Sequence, residues 1–189
     1  MSTVVGVVEQ VLVYPVKSAG GRSVPQAHVD ADGLRGDRVH AVVDAVTGEP
    51  VRARTAPRLH EVAATGDVDA DTAALSAVLG RPVRLAAPDA GPQGAAVHLV
   101  SRRAVELAAT GEVPAGCSAE DPRANLVLTL HAADDERTWV GRELQVGEAV
   151  LRLTRLPKHC LGVYADVLRP GAVAVGDPVS LTGAEPARR

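Results

Sequence analysis

At 189 residues the chain is long enough for one large domain or two small ones. A formal net charge of -3 excludes a protein whose whole surface grips nucleic acid or an acidic membrane, and no apolar run approaches the roughly 18 residues of a membrane span. Two cysteines, Cys117 and Cys160, are no disulfide framework and point to a reducing, cytoplasmic compartment.

The N-terminus shows no basic segment followed by an apolar stretch and a cleavage site, so no secretory leader is expected. The hydrophobic fraction, 46%, contains no Phe, one Trp and two Tyr, which leaves Val, Leu and Ala to build the core. Abundant Val favours strands, because β-branched side chains suit a pleated, half-buried surface.

Residues 3–14 read as a long strand, bent at Gly6 and ended by Pro15. Lys17 and Ser18 follow in a Gly-rich turn. Taken alone they read as solvated; an ammonium and a hydroxyl there could equally hold a phosphate. Residues 24–29 alternate as a second strand. After the Gly-broken segment 30–38, residues 39–45 read as a strand, 46–50 as a turn and Val51–Arg54 as the returning strand of a hairpin, with Arg52 and Arg54 on one solvent face. A further strand is expected near 59–65. Asp69 to Gly80 reads as a short helix with candidate Asp caps and a Gly terminator, and 81–87 as a strand. Residues 88–94, rich in Pro and Gly, are the linker candidate.

Val97–Val100 reads as a strand and Ser101 as the N-cap of a helix over about 102–109, with Val105 its clearest core residue. A loop carries Cys117. Asp121-Pro-Arg-Ala-Asn-Leu-Val127 opens a strand from Asn125, and period-two alternation would point Arg123 and Asn125 to one face. Residues 134–136 read as an exposed acidic turn. Gly141–Gly147 reads as hairpin-like and Ala149–Leu156 as a long strand. Leu156-Pro-Lys-His-Cys-Leu-Gly-Val-Tyr164 then sets one thiol beside Lys158 and His159, and positive charge stabilises the thiolate that binds metals. Short strands with Pro-Gly and Gly-Asp turns finish the chain, and 183–189 read as a loose tail. The fold class is mainly β, with closed barrels and two short helices.

Tyr14-Pro-Val-Lys-Ser18, Gly33-Leu-Arg-Gly-Asp-Arg38 with Val51–Leu59, the Arg123-Ala-Asn125 strand entry, and Gly141–Gly147 with Cys160 and Pro170–Val179 resemble, in this order, the MOSC family, named for the C-terminal domain of molybdenum cofactor sulfurases. The resemblance is to small bacterial relatives of the amidoxime-reducing component. It implies a smaller N-terminal β-barrel domain over 1–88, a MOSC domain over 95–182, and between them a cleft for a pterin-based molybdenum cofactor. It also implies that Cys160 is the thiolate on molybdenum. Lys17, Ser18 and Arg38 would bind phosphate or pterin, with Arg35 the alternative to Arg38 and Arg54 on the same side. Arg123 and Asn125 would hold the pterin, and Ser101 would add anion-binding donors.

The implied activity is reduction of small N-hydroxylated or N-oxide substrates, with electrons from a separate flavin or iron–sulfur protein. No nucleic acid and no membrane is involved. The alternative is a module without turnover, either a sulfur carrier with a Cys160 persulfide or a carrier of the cofactor. Cys117 matches no motif and reads as structural or incidental. His159 could tune the thiol. His28, His40, His60, His98 and His131 show no zinc-site spacing. Larger relatives carry a substantial segment between the cysteine and the final strands, whereas Cys160 stands only four residues before Tyr164.

Overall fold

A computed structural model describes residues 2–88, 95–117, 121–131 and 135–182. The linker and tail expected at 88–94 and 183–189 therefore lie almost wholly outside the described residues. The strands are β1 Thr3–Val13, β2 Arg22–Val24, β3 Gln26–Asp30, β4 Gly33–Leu34, β5 Ala41–Asp44, β6 Val83–Ala86, β7 Val97–Ser101, β8 Leu126–Leu130, β9 Glu143–Val146, β10 Ala149–Arg155, β11 Val163–Arg169, β12 Gly171–Ala174 and β13 Pro178–Thr182. Two α-helices, α1 Val68–Leu79 and α2 Arg102–Ala109, and two 3-10 turns, Pro57–Glu61 and Glu136–Trp139, complete the described elements. No described helix is long and apolar enough to cross a membrane.

Contacts divide the described chain into two units that interleave in sequence: residues within 1–11, 24–35 and 94–189 form the first, and those within 12–23 and 36–93 the second. In the first unit seven strands run in the order β13-β9-β10-β11-β7-β8-β1, and a β13–β1 pairing closes them into a barrel. The β7–β8 pair is parallel, with α2 as its crossover, and the other pairs around the barrel are antiparallel. A small barrel is filled by its own side chains. Here Val8, Val11, Leu99, Leu126, Leu128, Leu144, Val146, Leu151, Leu153 and Val179 are all essentially buried. The bend expected at Gly6 is a register shift in the β1–β13 pairing between Val4 and Gly6. A Cβ at Gly6 would stand 2.3 Å from the Thr129 carbonyl oxygen, so only glycine allows β8 this close. A smaller sheet, β12-β3-β4, belongs to the same unit.

The second unit packs Val16, Val42, Leu59, Leu75 and their neighbours around the antiparallel pair β5–β6. Helix α1 starts where Asp67 accepts from the Ala70 N–H and stops at Gly80, whose φ of 65° is left-handed. Buried Asp71 fastens the preceding loop: its carboxylate accepts from the Thr65 N–H, the Thr65 hydroxyl and the Gly66 N–H.

Several local expectations change. Val51 returns its N–H to Val42, but Val51–Arg54 is not a strand, because the Thr55 and Ala56 N–H groups both turn back onto the Arg52 carbonyl. The region near 59–65 begins instead as the 3-10 turn Pro57–Glu61, opened by a proline whose missing N–H costs a helical start nothing. In α2 the buried residue is Ala108, and Val105 is half-buried. Glu136 is not in an exposed turn: it is 1% exposed and accepts from the Ser101 N–H at 2.9 Å.

Replacing Asp71 by Ala would leave the Thr65 and Gly66 N–H groups without their acceptor, a loss of about 2 kcal/mol or more. Urea unfolding should therefore show a clear drop in midpoint for Asp71→Ala, and an unchanged midpoint would refute the clasp.

Candidate functional site

In the second unit the end of β1 delivers Tyr14, Pro15, Val16, Lys17 and Ser18. Val16 bridges His40 and the Lys17 N–H donates to the His40 carbonyl at 2.8 Å, which seats the turn against β5. Ser18 has φ 69° and Arg38 φ 51°, left-handed conformations that are costly with a side chain present. Tyr14 and Arg38 are tied twice: the Tyr14 N–H donates to the Asp37 carboxylate at 2.8 Å, and the Arg38 N–H donates to the Tyr14 carbonyl at 2.6 Å. The Arg38 guanidinium pairs with Asp37 and lies 5.4 Å above the Tyr14 ring. Two segments far apart in sequence are thus one structure.

Lys17, Ser18, Ala41, Val42, Pro50, Val51 and Arg52 line a hollow of about 40 Å³, and Pro50 and Arg52 also line a second, of about 290 Å³, with Glu49, Arg54 and Thr55. Lys17, Ser18 and Arg54, singled out from sequence, are therefore brought to adjoining hollows, and Arg52 joins them. Among the described residues Lys17, Arg52 and Arg54 have no ion pair. Arg35 lies in the other unit, exposed, with its Nε and Nη2 on the two oxygens of Asp30 at 3.0 and 2.9 Å.

In the first unit Arg123 does not share a strand face with Asn125. The strand begins at Leu126, and Arg123 has φ 52°, with its N–H on the Asp121 carboxylate at 2.9 Å. Asn125 is fully buried. Its Oδ1 accepts from the His98 N–H at 3.2 Å and its own N–H donates to the His98 carbonyl at 2.8 Å. His98 is buried too, and its Nε2 donates to the Leu161 carbonyl at 2.8 Å while its ring meets Tyr164 edge-on at 4.8 Å. Gly162 makes this approach possible: its φ is 80°, and a Cβ there would sit 2.0 Å from the Leu99 oxygen. The Arg-x-Asn segment and the cysteine loop, remote in sequence, meet through one histidine.

Cys160 is half-buried, while Lys158 and His159 beside it are exposed. Burial raises its thiol pKa; a hydrogen bond to the Tyr164 side chain opposes this, nearby Cys117 adds to it, and Arg137 opposes it. The low-pKa environment expected from Lys158 and His159 is thus replaced by one in which desolvation dominates. Cys117 is not incidental: its Sγ donates to the Cys160 carbonyl at 3.3 Å, and Arg137 Nη1 reaches both that sulfur, at 3.5 Å, and that carbonyl, at 3.4 Å. Nothing in the local sequence of Cys117 signals this, since the contact closes over a long loop. A cleft of about 570 Å³ lies beside it, lined by Ser101, Arg103, Leu107, Pro114, Glu136, Arg137 and Leu161, among others. The Ser101 Oγ accepts from the Ala104 N–H and the Ser101 N–H donates to Glu136, so its backbone donor is engaged within the protein while the hydroxyl keeps its own proton to donate. No group of three or more metal-ligating side chains occurs among the described residues.

Residues 5–118, more than half of the chain, match the family model described as the MOSC N-terminal beta barrel domain. Among solved structures the chain is similar to the YuaD protein from Bacillus subtilis, at 14% identity and a TM-score of 0.57, covering 98% of this chain and 99% of that one. It is also similar to YiiM from Escherichia coli, at 14% identity and a TM-score of 0.48, covering 98% of this chain and 71% of that one. At these identities the likeness to YuaD is one of fold. No curated protein matches the chain.

Because burial raises the Cys160 thiol pKa, its alkylation by iodoacetamide, followed by peptide mass spectrometry, should climb with pH to a plateau whose midpoint lies above the ordinary thiol value of about 8.5. At neutral pH it should react more slowly than a free thiol. A rise centred below that value would show that positive charge, not burial, governs the site.

Proposed function

The chain belongs to the family of the MOSC N-terminal beta barrel domain, and on that premise we propose that it binds a pterin-based molybdenum cofactor and works as an oxidoreductase on small N-hydroxylated or N-oxide substrates. One observation carries the reading. Among the described residues only Ser18, Arg38 and Arg123 combine a side chain with a positive φ, and all three are positions the resemblance assigns to the cofactor. Backbone strain of this kind concentrates where function holds it in place.

The chemistry of the donor set fits such a group. Lys17, Arg52 and Arg54, without carboxylate partners among the described residues, suit a phosphate, and the Ser18 hydroxyl adds a neutral donor. Arg38, steadied by Asp37 and the Tyr14 face, would add its positive charge, and Arg123 and Asn125 would hold the pterin's polar edge. Cys160 offers a soft sulfur to the metal. The Arg35 guanidinium pairs with Asp30 and the Ser101 N–H donates to Glu136, which leaves the Ser101 hydroxyl as the donor these two positions would add.

The bound cofactor supplies oxygen-atom and two-electron transfer. What the chain does is hold and tune. Cys160 Sγ must shed its proton to serve the metal; burial resists that loss, and the Tyr164 side chain, hydrogen-bonded to it, eases it. Electrons would come from a separate flavin or iron–sulfur protein in the cytoplasm. The contact between Cys117 and Cys160 also favours a second reading, a sulfur carrier with a Cys160 persulfide.

Protein purified from a host that makes molybdenum cofactor should carry near-stoichiometric molybdenum and pterin. Cys160→Ala should lose or inactivate the metal. Lys17→Ala and Arg52→Ala should each weaken cofactor retention about tenfold or more, the value of a charged hydrogen bond. Folded wild type with neither molybdenum nor pterin would sink the proposal.

A further inference from the structure

We propose that Cys117 and Cys160 form a redox pair that closes to an intramolecular disulfide by exchange with a low-molecular-weight disulfide. Closure withdraws the Cys160 sulfur from any metal. The pair itself stands apart from the proposed function; only its effect on metal binding rests on that reading.

The geometry is that of two packed loops. Cys117 Sγ is 3.3 Å from the Cys160 carbonyl oxygen. That oxygen lies about 2.4 Å from its own Cα, so the Cys117 sulfur is within about 6 Å of the Cys160 Cα. The Cys117 Cα lies about 2.8 Å from its own sulfur, so the two Cα atoms are at most about 9 Å apart, and a shift of a few ångström brings them into the roughly 4.4–6.8 Å span of a disulfide. Arg137 Nη1 holds the loops together by bonding Cys117 Sγ and the Cys160 carbonyl at once. A Cβ on Gly116 would sit 3.8 Å from the Lys158 carbonyl, an ordinary packing distance. Both cysteines are half-buried free thiols. The cleft of about 570 Å³ is lined by Val113, Pro114, Arg137 and Leu161, the last of these next to Cys160, and gives a small disulfide room to approach.

The exchange balances. One thiol attacks the external disulfide, forming a mixed disulfide and releasing one small thiol. The second protein thiol attacks the protein sulfur of that mixed disulfide and releases the other. Two hydrogens leave the protein on two small thiols, and the external disulfide gains the two electrons. Excess small thiol reverses both steps.

The test is to equilibrate the full chain in glutathione buffers of rising oxidised fraction, trap with acid and an alkylating agent, and read intact and peptide masses. The wild type should lose two hydrogens, yield a Cys117–Cys160 linked peptide, and alkylate at Cys160 about tenfold less. Cys117→Ser should stop at a glutathione adduct on Cys160. A wild type that instead carries glutathione on each cysteine, or links two chains through them, overturns the pair. Molybdenum and pterin are counted beforehand, on the fully reduced protein from a host that makes molybdenum cofactor. Reduced protein free of both that still closes the disulfide on oxidation would sink the proposed function and keep the pair, whereas bound cofactor in the reduced protein with no disulfide on oxidation would do the reverse.

Discussion

Buried His98 is the point from which the first unit's chemistry is laid out. Its backbone exchanges two hydrogen bonds with Asn125, one through the side-chain oxygen, and its Nε2 donates to the Leu161 carbonyl. A buried backbone or amide group must be paired. Here one strand residue therefore fixes both the Arg-x-Asn entry and the loop that carries Cys160. The same ring braces Tyr164, which in turn reaches the Cys160 side chain. Barrel closure makes this rigid, because β7 lies between β8 and β11 and has no freedom to slide.

The second unit reaches its arrangement differently. Left-handed backbone at Ser18 and Arg38 costs on the order of 1–3 kcal/mol each. The surroundings over-determine it: the Lys17 N–H on His40, the Arg38 N–H on Tyr14 and the Asp37 carboxylate between them. Gly21 takes part by omission, since a Cβ there would stand 2.4 Å from the Tyr14 ring. A core of Val, Leu and Ala supports this readily, because small side chains leave the backbone segments close together.

Features governed by nearby residues were legible in the sequence. The Ser101 cap, the Gly80 stop and most strands are local chemistry and stand where their residues indicate, while the Asp cap of α1 falls at Asp67, two residues before the expected start at Asp69. Features governed by distant partners were not. Period-two alternation does not reach Arg123, because the Asp121 carboxylate draws its N–H into a turn. Arg52 read as a solvent-face residue, yet it lines both hollows of the second unit, since its carbonyl turns the chain there. The burial of Glu136 depends on the Ser101 N–H, and the place of Cys117 on a loop contact; composition announces neither. Motif order points to Lys17, Ser18 and Arg54, and the structure adds that Lys17 and Ser18 line one hollow and Arg54 the adjoining one, with Pro50 and Arg52 common to both.

The interleaving of the two units bears on how the chain is made. All of the second unit's segments have been synthesised once residue 93 is added, but the barrel cannot close until β13 appears, because Thr3 pairs with Leu181. Strand β1 must therefore wait for its last neighbour until Pro178–Leu181 have been made. Its apolar edge stays open meanwhile, which makes the nascent chain the stage most exposed to mispairing. A single cut in the chain also cannot free either unit, since both are assembled from stretches that a segment of the other separates.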